Sequence, residues 1–147
     1  MPIGSITGQN RSLDNDYGAT HGPNTPDTFL LAAYVGVPDQ ALPVEDQGVE
    51  LDPDDNPGYV RGTVLNDGTA FDPAAGGRKT VTAIISPDGP TGEWPDEATH
   101  LALLDPDDPT IVYDYGELVE PLVVLEAMPG VGLLVTAVIF YTPTTEG

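Results

Sequence analysis

Two segments of this sequence crowd carboxylates closely enough to interest a cation. Asp52-Pro53-Asp54-Asp55 and Asp105-Pro106-Asp107-Asp108 repeat the same order, and hard cations such as calcium take clustered oxygen ligands. Asp52, Asp54, Asp55, Asp105, Asp107 and Asp108 are therefore the candidate metal ligands. Their spacing is not that of a helix-loop-helix calcium loop, which needs acids at its first, third and fifth positions, a glycine at the sixth and a distant glutamate. In a chain with 24 acidic side chains, the competing assignment is a pair of solvated turns.

Other chemistry is sparsely represented. His100 lies between Thr99 and Leu101 in an apolar run, and His21 sits in a polar stretch. Neither belongs to a Ser-His-Asp order or a His-x-x-x-His pair. A glycosidase pair of carboxylates meets in space and not in sequence, so 24 acids make a chance approach uninformative. Ala75-Gly76-Gly77-Arg78 matches neither a phosphate loop nor a dinucleotide fingerprint. The absence of cysteine removes thiol catalysis, thiolate metal sites and disulfides. Trp94, the only tryptophan, reads as a loop anchor, with a ligand-stacking platform as its alternative. These residues identify no catalytic group, and the sequence is not read as an enzyme. No cofactor is implied beyond calcium or another cation.

Charge excludes more. Against the 24 acids stand Arg11, Arg61, Arg78 and Lys79, for a net charge of −20. Such a surface repels phosphate backbones and anionic membranes, so neither nucleic acid nor membrane is expected as a direct partner. It also strains the compact state by self-repulsion. Strand-like apolar runs argue against a disordered acidic chain. A protein adapted to high salt is the better reading, because screening shortens the reach of that repulsion to about 3 Å at 1 M. Met1–Arg11 lack the basic and apolar regions of a signal peptide. The longest apolar run, Val131–Tyr141, is too short for a membrane helix.

Glycine and proline, 17 and 16 residues, suit short strands joined by turns. Residues 1–27 read as an extended attachment arm, whose isolated Ile3, Ile6, Leu13 and Tyr17 cannot form a core, so it is expected to order only when docked on a neighbour. Strands are expected at Thr28–Val37, Gly58–Asn66, Lys79–Ser86, Thr99–Leu104, Thr110–Leu118, Leu122–Glu126 and Gly132–Tyr141, with turn signals such as Asn66-Asp67-Gly68 between them. About seven short strands at this spacing predict an all-β, single-domain antiparallel sandwich or barrel over 28–147. The last strand is apolar on both faces, with Leu133, Val135, Ala137, Ile139 and Tyr141 on one and Leu134, Val138 and Phe140 on the other. It is either a central strand covered on both sides or part of an interface. Leu133, Leu134, Val138 and Phe140 are the candidate interface residues.

The order of segments resembles a family. Thr28–Tyr34, Gly58-Tyr59-Val60-Arg61, Thr80–Ser86, Thr91-Gly92-Glu93-Trp94 running into Thr99–Asp105, Ile111–Leu118 with Tyr115-Gly116, and Val131–Thr136 follow one another as in small tail fibre or minor virion proteins of tailed, phage-like viruses. The resemblance covers residues 28–137 or so, and the Trp94 to Asp105 stretch carries most of it. It implies a structural virion protein: a capsid decoration, turret or head-fibre subunit, or a tail-fibre attachment module. Its partners would be other capsid or tail proteins and further copies of itself, with a homotrimer as the family habit. With the charge, it implies a virus of a halophilic host. That family opens with a short helix, whereas residues 1–27 here read as extended, and Asn56-Pro57-Gly58 replaces its paired glycines before the tyrosine. The alternative in a different class is a carbohydrate- or calcium-binding module that recognises a host surface.

The melting temperature is expected to rise steeply between about 0.1 and 2 M KCl or NaCl as the screening length shrinks. A flat melting temperature across that range contradicts the high-salt reading.

Overall fold

The computed structural model describes residues 6–22 and 25–140, with side chains from residue 8 onward. One short helix, α1 (Ile6–Asp16), precedes seven strands: β1 (Thr28–Val35), β2 (Val49–Glu50), β3 (Gly62–Leu65), β4 (Arg78–Ile85), β5 (Ala98–Leu104), β6 (Val112–Leu122) and β7 (Leu133–Phe140). All pairings are antiparallel and form a single sheet in the order β2-β1-β5-β6-β7-β4, with β3 sharing the β1 edge. The fold is all-β, as the turn-punctuated apolar runs predict. No helix among the described residues is long and apolar enough to cross a membrane.

The sheet covers itself by curling. Period-two alternation puts Phe29, Leu31 and Ala33 of β1, Val81, Ala83 and Ile85 of β4, and Val135, Ala137 and Ile139 of β7 in one core. Its two ends approach without forming a ladder. A Cβ on Gly62 of β3 would stand 2.3 Å from the Ile84 carbonyl oxygen of β4, so only glycine admits the approach. Beside it, the Ser86 N–H donates to the Val60 carbonyl and the Val60 N–H donates to Ser86 Oγ, both at 2.9 Å. The remaining edge of β4 is covered by residues 70–72: the Thr82 N–H reaches the Ala70 carbonyl and the Asp72 N–H reaches the Thr80 carbonyl. Together these contacts leave a curled, sandwich-like sheet that is not a closed barrel.

The described part of residues 1–27 differs from the expected extended arm. Over 6–16 the chain is helical, and it packs on its own sheet. Asn10, Leu13, Asp14 and Tyr17 follow the i, i+3, i+4, i+7 spacing of one helix face, with Tyr17 continuing the ladder through its N–H to the Leu13 carbonyl. Leu13 and Tyr17 are buried, and the Tyr17 ring lies 5.8 Å from Phe71 and 5.9 Å from Phe29. The polar half of the face is satisfied too. Asn10 Oδ1 accepts the Gly77 N–H at 2.9 Å, and Asp14 Oδ1 accepts the Ala74 N–H at 3.0 Å and Lys79 Nζ at 2.5 Å. Gly18 ends the helix at φ +103°, with Lys79 Nζ so near that a Cβ would meet it at 2.9 Å. Tertiary contact thus overrides a segment of low helix propensity. Residues 1–5, 23–24 and 141–147, with Ile3 and Tyr141 among them, lie outside the described residues.

Asn66, fully buried, ties the end of this segment to β3. Its Oδ1 accepts the Gly18 N–H, and its Nδ2 lies within hydrogen-bond distance of the Asp16 and Pro26 carbonyls and of Thr25 Oγ1.

Lys79 makes the helix obligatory. It occupies an inward position of β4, its side chain 3% exposed, and Asp14 is its ion-pair partner. Removing one member of such a pair leaves an uncompensated buried charge. Asp14→Ala is expected to destabilise the fold by about 3 kcal/mol. Adding Lys79→Met should recover most of that loss, as read by denaturant unfolding in high salt. If Asp14→Ala is neutral, the pair does not hold the helix.

Candidate functional site

Each Asp-Pro-Asp-Asp segment spends its leading carboxylate on its own turn. Asp52 Oδ1 accepts the Asp54 N–H at 2.9 Å. Asp105 Oδ1 accepts the N–H groups of Asp107 at 2.8 Å and Asp108 at 3.1 Å, while its Oδ2 accepts the Tyr113 hydroxyl at 2.9 Å. Asp108 Oδ1 in turn takes the N–H and hydroxyl of Thr110. The Asp107 N–H bond and the Tyr113 hydroxyl hold the Asp105 carboxyl below its ordinary range. The two segments follow strands that pair with opposite ends of β1, since Glu50 aligns with Tyr34 and Leu104 with Leu30. Among the described residues, no three acidic or histidine side chains converge into a cation site. The structure therefore does not bring the calcium candidates together, and the carboxylates of Asp52, Asp105 and Asp108 are already engaged by local backbone N–H groups.

The histidines and the tryptophan also have structural partners. His21 Nδ1 meets the Gly18 carbonyl at 2.8 Å and its Nε2 meets Asp27 at 3.0 Å. His100 Nδ1 lies 2.8 Å from Thr99 Oγ1, with its ring beside Tyr115. Trp94 is buried, donates to the Pro57 carbonyl at 2.7 Å and crosses Tyr59 edge-on, which is the geometry of an anchor.

Two features remain. The first is the outer face of β4, β7 and β6. Leu133 belongs to the core at 8% exposure, so of the four interface candidates it alone faces inward. Leu134, 71% exposed, and Phe140, 46% exposed, stand outward together with half-buried Val138. The register adds Ile84 of β4, 48% exposed, directly beside Leu134. β6 and β7 pair only through Glu117–Val138 and Leu118–Ala137. Beyond that point β6 bulges, since Ala98 aligns with Leu122 while His100 aligns with Glu117. The splay opens a groove of about 290 Å³ lined by Val119, Leu122, Val123 and Leu134, with Glu120 among its walls. Toward β1 the outer face is different. There Ala32, Ala102 and Leu104 are buried in a small cluster with Leu30, Tyr34 and Val112. Sequence alternation found Leu134, Val138 and Phe140. Ile84 and Val119 escaped it because their place beside β7 depends on register.

The second feature is an acidic cleft of about 450 Å³ between the end of α1, residues 38–41 and the start of β6, lined by Asp16, Asp39, Asp114 and the rings of Tyr17, Tyr113 and Tyr115. Asp114 Oδ2 accepts the Tyr17 hydroxyl at 3.0 Å, and its Oδ1 accepts the Tyr115 N–H at 2.8 Å. Burial pushes the Asp114 carboxyl up to about 6. The two hydrogen bonds oppose that rise, and the nearby charges of Asp16 and Asp39 add to it. Burial likewise raises Asp16. The cleft can hold a proton on a carboxyl at mildly acidic pH. Nothing in the sequence signals it, because its members come from three separate segments.

No protein-family model, curated protein or solved structure matches the chain.

A carboxyl whose pKa is higher folded than unfolded stabilises the fold when protonated, below about pH 4, and loses that contribution as pH rises through about 6. Asp114→Asn removes the charge; its amide oxygen still accepts the Tyr115 N–H, while its NH2 group donates to the Tyr17 hydroxyl, which turns to accept. The substitution is expected to raise stability at pH 7 by on the order of 2 kcal/mol and to change little at pH 4. Equal effects at both pH values in thermal unfolding contradict this assignment.

Proposed function

We propose that this chain is a structural subunit of a tailed-virus particle from a salt-adapted host, and that it acts by assembly and not by catalysis. In this account it decorates the capsid, builds a turret or head fibre, or attaches a tail fibre. The observation that carries the proposal is the outer sheet face. In a chain of net charge −20, Ile84, Leu134, Val138 and Phe140 form with Thr82 and Thr136 an outward stripe free of carboxylates, its Leu134 and Ile84 largely exposed, and exposed apolar groups of this kind mark interfaces. The order of sequence segments shared with small tail fibre proteins supports the same reading. So does the short opening helix, a feature of that family which the sequence alone did not disclose. The partners are then other virion proteins and further copies of this chain, and the protein resides in the virion.

The acidic cleft favours a second reading. Tyr113 and Tyr115 beside Asp39 and Asp114 offer the ring faces and carboxylates that a carbohydrate-binding, host-recognition module would use. A glycan array decides this reading: a hit lost on Tyr115→Ala supports it, and no hits contradict it.

For the assembly reading, the double variant Val138→Asp/Phe140→Asp is expected to remain folded and to weaken self-association by about a hundredfold, in the range of buried interface anchors. Sedimentation at about 2 M KCl, with circular dichroism as the folding check, reads both quantities. Unchanged association, or an unfolded variant, contradicts it. Mass spectrometry of purified particles then counts copies, with hundreds meaning decoration and small multiples of three or six meaning a tail component.

A further inference from the structure

The outer face of β4, β7 and β6 carries its few charges in a particular order. Along β7 the outward row is Leu134, Thr136, Val138 and Phe140. On the β4 side the opposing row is Ile84, Thr82, Thr80 and Arg78. On the β6 side Glu117 aligns with Val138. The stripe is thus flanked by Arg78 on the β4 side and, on the β6 side, by Glu117 level with Val138 and by Glu120 at the Leu134 end, in a chain that elsewhere is overwhelmingly acidic. Arg78 and Glu117 are exposed. Among the described residues neither has an ion-pair partner in its own copy. The Arg78 guanidinium rests over the Phe140 ring, 5.3 Å from its centroid, which keeps it at the face.

We propose that a second copy of this chain covers this face, packed sheet to sheet about a two-fold axis parallel to β7, so that Arg78 of each copy pairs with Glu117 of the other. The proposal rests on the assembly reading and deepens it by fixing partner and geometry. Such an axis places β4 of one copy over β6 of its mate, which brings the cationic flank onto the anionic flank twice. Arg78 sits level with Phe140 and Glu117 level with Val138. The two-residue offset is about 7 Å along the strand, within reach of two long side chains. Aligned sheets stacked about 10 Å apart then interdigitate Leu134, Val138 and Ile84 as the two layers of a sandwich. Charge selects this occupant. The middle of the stripe, made of apolar and threonine side chains, is where another −20 chain meets no carboxylate. Glu120, in the groove wall at the Leu134 end, has no basic counterpart, so the pair tightens with salt. A two-fold pair replaces the trimer that family habit implies.

The test is a charge-swap cycle read by sedimentation equilibrium at about 0.5 and 2 M KCl, with thermal unfolding confirming the fold of each variant. Wild type is expected to be a dimer. Arg78→Glu and Glu117→Arg should each weaken it by about tenfold, since each places like charges opposite one another twice. The Arg78→Glu/Glu117→Arg double variant should return to the wild-type dissociation constant. Glu117→Arg is the sharper arm, because it lowers the net negative charge yet must weaken association. If it strengthens association, or the double variant fails to recover, the two-fold geometry is wrong. A trimer or larger oligomer that is lost in Val138→Asp/Phe140→Asp but indifferent to the swaps overturns the two-fold pair and leaves the assembly reading standing. A monomer under all conditions overturns both.

Discussion

A lysine aimed into the core sets the terms for the rest of this fold. Lys79 stands at an inward position of β4, where alternation reserves the space for apolar side chains, and a lone ammonium there is untenable. Asp14 resolves it, but Asp14 is on α1, so the helix must dock. Docking buries Leu13 and Tyr17, completes the ring cluster with Phe29 and Phe71, and brings Asn66 into bonding distance of the chain at 16, 18, 25 and 26. One buried charge thereby makes a polar N-terminal segment part of the domain. It also closes the inner side of the curled sheet without a second sheet.

Closing the inner side leaves an asymmetry outside. Over β1 and β5 the outer surface is filled by its own small cluster. Over β4, β7 and β6 it is not, and large aliphatic and aromatic groups face solvent. The scarce basic residues fall where they offset particular acids or serve particular contacts. Lys79 meets Asp14, and Arg61 grips Glu50 through two nitrogens at 2.7 and 2.8 Å. Arg78 flanks the apolar stripe. Three of the four cations thus have positional work, and the unbalanced acids are left to the solvated surface, as high salt favours.

The strands were legible because their chemistry is local. Alternating β-branched and aliphatic residues at 79–86, 99–104 and 132–140 lie within a residue or two of β4, β5 and β7, and the split between Leu133 and Leu134 follows directly from period two. The helix was not legible, since half of its packing face is Asn10 and Asp14. A polar pair with buried partners looks the same in sequence as a solvated one. β6 read as two strands because Pro121 interrupts what the structure runs as one strand through a bulge. β2 is two residues long and lay inside an expected loop. Of the candidate site, the outward row of β7 could be read, but Ile84, Arg78 and Glu117 could not. Which residue of one strand stands beside which of another is set by register, and register is a property of the folded sheet. The acidic turns were ambiguous in sequence, since their composition suits a cation site or a pair of solvated turns alike, and the structure has the turns.

The account stands on the outer face being covered by another copy. Placing a photo-activatable phenylalanine analogue at Thr136, in the middle of the stripe, and irradiating the assembled protein tests this most directly. Peptide mapping is expected to show cross-links joining residue 136 to residues 134–140 or 80–84 of a second copy. Cross-links found only within one copy, or only to the segment 38–48, would contradict it.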